Sequence, residues 1–308
     1  MKKIPLVVVM GATASGKTAL AIDIANKIGG EIVSSDSMQI YKYMDIGTAK
    51  PTSSERAECV HHLIDFLEPD SEFSVADYVT LAHQTIKDIT DRGKIAVMCG
   101  GTGLYIDSVV NDVEFGEMDN DYELRRQLSE LAKNEGGEVL LNMLAEFDPV
   151  SANRLHKNNT KRIIRAIEFY KMSGIPISEH QEMTKQKESR YNAVKFMIDR
   201  ERDELYERIN KRVDLMIDEG LYQEVKSLYD MGYSPDLNSM QGIGYKELLN
   251  CIAGDVTLDE AIEQIKQNSR HYAKRQLTWF RRDKDIIMLK EKDASETAVQ
   301  IIKENLFG

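Results

Sequence analysis

Eight residues near the start of the chain have the types and the spacing that bind a phosphate group. They read Gly11-Ala12-Thr13-Ala14-Ser15-Gly16-Lys17-Thr18, the pattern G-x-x-x-x-G-K-[ST]. In such a loop the backbone N–H groups surround phosphate oxygens, the lysine adds a positive charge, and the final hydroxyl binds Mg²⁺. We therefore expect a phosphate site that includes Lys17, with Thr18 as the ligand of Mg²⁺. The motif does not identify the molecule that carries the phosphate.

A carboxylate follows the second apolar segment. Residues 31–36 predict a short strand that places Asp36 at its carboxyl end, where ligands bind in open α/β sheets. Asp36 has two interpretations: a general base, or a structural residue that caps a helix or binds Mg²⁺.

A third apolar segment, 95–99, ends in Gly100-Gly101-Thr102-Gly103. Motor ATPases and many P-loop proteins carry an acidic Mg²⁺ ligand at this strand end, so its absence argues against a nucleotide-hydrolysing switch or motor. The two glycines and Thr102 allow backbone and hydroxyl groups to approach a ligand, and we include Thr102 among the catalytic candidates. For the adjacent His61 and His62 we favour structural hydrogen bonding over metal binding, because neighbours in a strand point in opposite directions.

The elements that would position these residues alternate between strand and helix. Residues 6–10 predict a buried strand before the loop, and Leu20, Ile24 and Ile28 recur at helical spacing after it. Further strands are predicted at 193–198 and 286–289. The predicted fold is α/β, a P-loop NTPase-like core with a mostly parallel sheet flanked by helices.

One segment lacks strand signals. Residues 112–190 show the apolar spacing of three helices, separated by glycines and by Asp148-Pro149. We predict an all-helical insertion domain here, within a core formed by 1–111 and 191–308.

Composition narrows the class of protein. The chain has 308 residues and a net charge of −11, and its three cysteines lie far apart, which fits a reducing cytoplasm. No apolar run approaches the ~20 residues of a membrane span, so we expect no membrane contact. The negative net charge argues against a nucleic-acid partner. However, segment 154–171 holds six basic residues and one acidic residue, and segment 266–284 holds seven basic residues and one acidic residue. Such segments are typical of phosphate-backbone contacts.

Three functions compete for these features. A small-molecule kinase explains the loop and Asp36, and a nucleotide-driven switch explains the loop alone, which is also typical of ATP-binding proteins. A transferase that holds a leaving diphosphate in the loop and binds structured RNA explains the Gly-Gly-Thr turn and the basic segments as well.

Motifs along nearly the whole chain resemble those of the bacterial tRNA dimethylallyltransferases. Among them are Asp36-Ser37-Met38-Gln39-Ile40-Tyr41 and the final helical motif at 272–281; the others are 11–18, 44–51, 61–65, 73–78, 100–106, 148–149, 161–168 and 241–247. Two departures are small: Ala12 and Lys157 stand where the family usually has proline.

The resemblance implies transfer of a dimethylallyl group from dimethylallyl diphosphate to N6 of adenosine 37, in tRNAs that read codons beginning with U. Asp36 would take the amine proton, and residues 11–18 with Mg²⁺ and Arg208 or Arg212 would stabilise the leaving diphosphate. We expect a monomeric, cytoplasmic enzyme. The implied tRNA contacts are Asp36, Ser37, Met38, Gln39, Thr102, Arg125, Lys161, Arg162, Ile163, Ile164, Arg165, Gln241, Gly242, Ile243, Gly244, Tyr245 and Lys246. The related alternative is an adenylate isopentenyltransferase, whose acceptor is a free nucleotide that would not need the helical insertion.

Overall fold

The computed structural model of the chain describes residues 3–113, 115, 122–185 and 188–306. These divide into two compact units, which we treat separately. The core unit comprises Met1–Val110 and Arg190–Gly308, and the helical unit comprises Asn111–Ser189. Positions 114, 116–121, 186 and 187 of the predicted insertion domain lie outside the described residues.

The described residues of the core unit form a six-stranded sheet in which every pairing is parallel. The strands are β1 Ile4–Met10, β2 Gly30–Ser34, β3 His61–His62, β4 Ile95–Gly100, β5 Tyr191–Asp199 and β6 Ile286–Lys290. Their order is β3-β2-β4-β1-β5-β6. All carboxyl ends therefore meet at one edge, and β1 lies between β4 and β5, fully buried from Leu6 to Val9. This confirms the predicted α/β, P-loop-like fold.

Helices cover both faces of the sheet in the core unit. They are α1 Lys17–Ile28, α2 Ser53–Glu58, α3 Val75–Asp91, α4 Gly103–Val110, α10 Arg202–Asp218, α11 Leu221–Asp230, α12 Tyr245–Ala253, α13 Leu258–Phe280 and α14 Ala294–Leu306. Sequence signals set their ends: Ser74 and Thr257 each form a capping box with the residue three positions later, satisfying otherwise unpaired N–H groups. Among the described residues, no helix combines the length and apolar character needed to cross a membrane.

The described residues of the helical unit form five helices rather than the three predicted. They are α5 Tyr122–Glu135, α6 Gly137–Ala145, α7 Pro149–Arg154, α8 Thr160–Ser173 and α9 Ile177–Lys185. Asp148-Pro149, expected as a break, begins α7: the Asp148 carboxylate accepts from the Ser151 N–H at 2.9 Å, and proline suits the first helical position. Apolar residues of α5, α6 and α8 form the core of this unit.

Candidate active site

The phosphate loop joins β1 to α1 in the core unit. Gly16 precedes α1 with φ 94°, a left-handed conformation that glycine adopts at little cost. Ala14 is also left-handed, with φ 60°, which is uncommon for a residue with a Cβ. The Lys17 Nζ donates to the Ala12 carbonyl at 3.2 Å, so its ammonium lies against the loop that it is predicted to serve.

Arg208 and Arg212 lie one turn apart on α10, and their side chains make different contacts. The exposed Arg208 donates from Nε to the Ala14 carbonyl at 3.0 Å and so supports the loop from outside. Arg212 lines the cleft beside Lys17. Among the described residues, Lys17 and Arg212 have no ion-pair partner. Burial lowers the pKa of both groups, while the charge of Asp36 acts in the opposite direction. Two largely uncompensated cations therefore face the same space.

That space, called the cleft below, is a cavity of about 360 Å³ at the carboxyl ends of the strands. Its polar lining includes Lys17, Thr18, Asp36, Arg212, Tyr272 and Arg275. Its apolar lining includes Ile32, Ile64, Ile209, Val213, Met216 and Ile265. A ligand with an anionic end and an apolar end matches this division.

One of the two carboxylate oxygens of Asp36 accepts a hydrogen bond. Its Oδ1 accepts from the Met38 N–H at 2.9 Å, and the described residues give no hydrogen-bond partner to Oδ2. Thr102 fixes the next residue, because its Oγ1 accepts from the Ser37 N–H at 3.1 Å and donates to Ser37 Oγ at 3.3 Å. Asp36 is therefore an oriented carboxylate in a cleft with two cations, and Thr102 holds the backbone that carries it.

Gln39, a predicted tRNA contact, makes its bonds within the chain. Its Oε1 accepts from Ser34 Oγ at 3.2 Å, and its Nε2 donates to the carbonyls of Thr48 and Ala49 at 3.2 and 3.1 Å. The side chain also lines the cleft. In this structure it anchors loop 45–50 to the sheet.

The 241–246 motif divides between the cleft and the core. Gln241, Gly242, Ile243 and Gly244 line the cleft, and Lys246 is exposed. The Tyr245 side chain is 1% exposed and donates from its hydroxyl to Glu224 Oε1 at 2.6 Å. It packs in the core because α12 begins at Tyr245 and turns that ring inward.

In the helical unit, burial separates the predicted contacts at 161–165. Lys161 and Arg162 are exposed, whereas the side chains of Ile163 and Ile164 are 0% and 7% exposed. The isoleucine side chains therefore pack in the core of this unit, and Lys161 and Arg162 are the exposed side chains at the start of the motif.

Two predicted tRNA-binding arginines share one buried acid in the same unit. Arg125 Nε and Arg165 Nη1 lie 2.7 and 2.8 Å from carboxylate oxygens of Glu168, whose side chain is fully buried. These hydrogen bonds oppose the effect of burial and leave the pKa of Glu168 below its usual value. Glu168, the single acid of the 154–171 segment, thus fixes both guanidinium groups.

Some basic side chains of segment 266–284 contact a neighbouring helix. Lys266 lies 2.8 Å from Asp214, and Arg270 donates to Asn210 Oδ1 at 2.5 Å, so both contact α10. Lys274 and Arg281 are exposed. The exposed basic side chains Lys274 and Arg281 therefore lie on the carboxyl-terminal side of these two contacts in segment 266–284.

The histidines and cysteines have structural surroundings. His61 Nδ1 lies 2.7 Å from the Cys59 carbonyl, and His62 Nε2 lies 2.7 Å from Glu31, which is the favoured interpretation. All three cysteines are free thiols. Cys99 lies beneath the phosphate loop, where burial raises its pKa to about 11, so it is neutral at physiological pH.

One buried residue of the site was not identified from the sequence. Gln276 is 6% exposed; its Oε1 accepts from the Thr13 N–H and its Nε2 donates to the Gly101 carbonyl, both at 2.9 Å. A usable signal exists, because Ile265, Ala273 and Phe280 form the inward stripe of α13 and Gln276 is the amide within that stripe.

The fold and the cleft define an α/β protein of P-loop-like fold. A loop with the spacing of a phosphate-binding motif and a carboxylate at the neighbouring strand end line one cavity, an arrangement suited to group transfer. A family model described as IPP transferase matches residues 39–283. The chain belongs to this family.

Curated relatives and solved structures agree with that membership. The chain is 49% identical to a tRNA dimethylallyltransferase of Acetivibrio thermocellus over 97% of this chain and 95% of the relative. It is 52% identical to one of Bacillus velezensis over 91% and 88%. The structure of a tRNA isopentenylpyrophosphate transferase from Bacillus halodurans matches with a TM-score of 0.74 at 41% identity, covering 99% and 97%. A eukaryotic dimethylallyltransferase acting on tRNA matches with a TM-score of 0.82 at 29% identity, covering 98% and 79%.

Proposed function

We propose that the chain transfers a dimethylallyl group from dimethylallyl diphosphate to tRNA, at N6 of adenosine 37 in tRNAs that read codons beginning with U. The observation that carries the proposal is the cleft itself, where Asp36 faces the cations Lys17 and Arg212. This arrangement places a proton acceptor and an anion site in one cavity, as an alkyl transfer to an amine with loss of diphosphate requires.

Different residues of the cleft have different roles in the proposed transfer. An exocyclic adenine amine is a poor nucleophile, so a carboxylate that takes its proton as the C–N bond forms accelerates the step. Asp36 serves as this base. Lys17, Arg212 and the loop N–H groups stabilise the negative charge that develops as the bond from the allylic carbon to the diphosphate breaks. The amine proton passes to Asp36, and the electron pair of the broken bond leaves with the diphosphate.

Mg²⁺ suits the donor set of this cleft. Thr18 lines it beside Lys17, and the described residues hold no cluster of three metal-ligating side chains. A Mg²⁺ ion bound through Thr18 and the diphosphate would follow its preference for few protein ligands together with phosphate oxygens and water. When bound, it adds positive charge at the leaving group.

The tRNA binds through residues on both units in this proposal. In the core unit, residues 36–39, Thr102 and 241–246 surround the adenosine that enters the cleft. In the helical unit, Arg125, Arg165 and the exposed Lys161 and Arg162 contact phosphates. Reaching N6 requires the base to leave its stack, at a cost that is low in an RNA loop. We further propose that the enzyme is monomeric and acts in the cytoplasm.

The test is a transfer assay with defined acceptors. The protein is incubated with dimethylallyl diphosphate, Mg²⁺ and unmodified tRNA, and digested tRNA is examined by mass spectrometry for one added C5 unit on one adenosine. Matched reactions use the same tRNA with guanosine at position 37, and AMP as a free nucleotide. Modification of AMP but not tRNA would favour the adenylate alternative, and hydrolysis of ATP without transfer would favour a kinase or switch.

A further inference from the structure

The two loops that meet at the cleft are joined by a single side chain of α13. Gln276 accepts a hydrogen bond from the Thr13 N–H in the phosphate loop and donates one to the Gly101 carbonyl in the turn after β4, each at 2.9 Å. The same amide thus spans two segments separated by 88 residues in sequence, which is the difference between positions 101 and 13.

The fit around this amide is close. A Cβ placed on Gly101 would lie 2.2 Å from Gln276 Nε2, a distance that two non-bonded atoms cannot adopt. The turn therefore approaches α13 closely only because residue 101 has no side chain. A buried amide with both ends bonded has one stable position, since an unpaired polar group here would cost free energy.

The two joined segments serve different substrates in the proposed function. The phosphate loop would hold the diphosphate of the donor. The turn carries Thr102, which fixes Ser37 beside Asp36, and so belongs to the acceptor side. Tyr272, one turn before Gln276 on α13, lines the same cleft. Gln276 therefore links the donor loop to the turn whose Thr102 holds the segment that carries Asp36.

We propose that Gln276 is a positioning residue that sets the distance between the leaving group and Asp36. This inference rests on the proposed function. Gln276 contacts no reacting atom in this mechanism. It acts through the Thr13 and Gly101 backbone, and the transfer geometry changes when either bond is lost.

The first experiment replaces the amide by an apolar group of similar size. Gln276→Leu should slow single-turnover transfer by about 10²-fold, the effect of a misplacement on the order of 1 Å, while tRNA affinity stays within about twofold of the parent. Gln267→Leu is the matched control, because Gln267 is an exposed glutamine of the same helix, and it should transfer at the parent rate.

The second experiment separates positioning from folding by a pH profile. Gln276→Glu keeps the oxygen that accepts from Thr13 but, when ionised, places a carboxylate oxygen against the Gly101 carbonyl. Protonation supplies an O–H that donates to this carbonyl, so the rate relative to the parent should rise as the pH falls from about 9 to about 6, since burial raises a carboxyl pKa into this range. A role in stability alone would lower the melting temperature without this recovery.

The outcomes are distinct. A parent protein that transfers no C5 unit contradicts the proposed function. An active parent with Gln276→Leu at the parent rate overturns the positioning role. If Gln276→Leu fails to fold, Gln276→Glu decides: recovery at low pH supports the role, and a constant ratio to the parent across the range overturns it.

Discussion

Replacing Asp36 by asparagine should separate catalysis from donor binding. Asparagine has the same shape, and its Oδ1 can accept the Met38 N–H bond that Asp36 accepts at 2.9 Å, so the local fold should persist. The variant loses the proton acceptor, and loss of a general base typically costs about 10²- to 10⁴-fold in rate.

The same change should strengthen diphosphate binding. The cleft volume of about 360 Å³ is that of a sphere roughly 9 Å across, which sets the scale of the separation between Asp36 and a bound anion. Two unit charges about 9 Å apart repel by about 0.5 kcal/mol at the dielectric constant of water and by about 1.8 kcal/mol at an effective value of 20. Removing the Asp36 charge should therefore tighten diphosphate binding by about 2- to 20-fold per unit of ligand charge.

Two measurements test this pair of effects. Single-turnover transfer with saturating dimethylallyl diphosphate and tRNA gives the rate, and calorimetric titration with inorganic diphosphate and Mg²⁺ gives the affinity. The parent protein and Asp36→Glu are measured alongside, since the latter keeps the charge but moves it by one methylene group. A slow Asp36→Asn with weaker diphosphate binding would mean that Asp36 binds Mg²⁺; a variant as fast as the parent would refute the general-base assignment.

The remaining predictions concern charge. Arg212→Ala should weaken inorganic diphosphate binding by about 10- to 100-fold, the range for a hydrogen bond to a charged group, with tRNA affinity in filter binding unchanged. Because the Asp36 charge opposes the burial that lowers the pKa of Lys17, Asp36→Asn should move the alkaline loss of diphosphate affinity to lower pH in the same titration. Lys161→Ala with Arg162→Ala should flatten log tRNA affinity against log salt by up to about two units; an unchanged slope would mean that these side chains only face solvent. Hydrogen bonds from Arg92 hold the pKa of the buried Glu31 far below its usual value, so the stability it adds is present above about pH 4.5 and is lost as the pH falls below that. Glu31→Gln should lower the free energy of unfolding in urea at pH 7 by about 1–3 kcal/mol, and the difference from the parent should shrink in acid.

Local patterns in the sequence were sufficient to predict the main strands and helices of the core unit. The apolar run at 6–10 and the glycine-lysine loop predicted elements that the structure contains, and the observed caps at Ser74 and Thr257 are equally local. Each depends on neighbours in the chain: period-2 or helical burial, a left-handed glycine, or a hydroxyl three residues from an acid. The extra helix α7 was missed because Asp148-Pro149 begins a helix as readily as it ends one.

Roles that depend on distant neighbours were decided only by the tertiary structure. Arg208 and Arg212 have the same residue type and lie on one flank of one helix, yet one supports the loop and the other lines the cleft. Tyr245, Ile163 and Ile164 stand within motifs that the resemblance assigned to tRNA, but core packing buries their side chains.

Gln276 shows the physical reason most directly. By itself it is one amide in a basic helical segment, and nothing in nearby residues indicates what its two ends bond. The sheet order places β4 beside β1, so the turn after β4 and the loop after β1 meet, and α13 packs where both can be reached by one side chain. The sequence by itself determined which chemistry the chain carries, because the residues of that chemistry lie in short motifs. Only the tertiary structure decided which groups hold those motifs at the distance that the reaction needs. That distance is set by contacts between segments that are far apart in the chain.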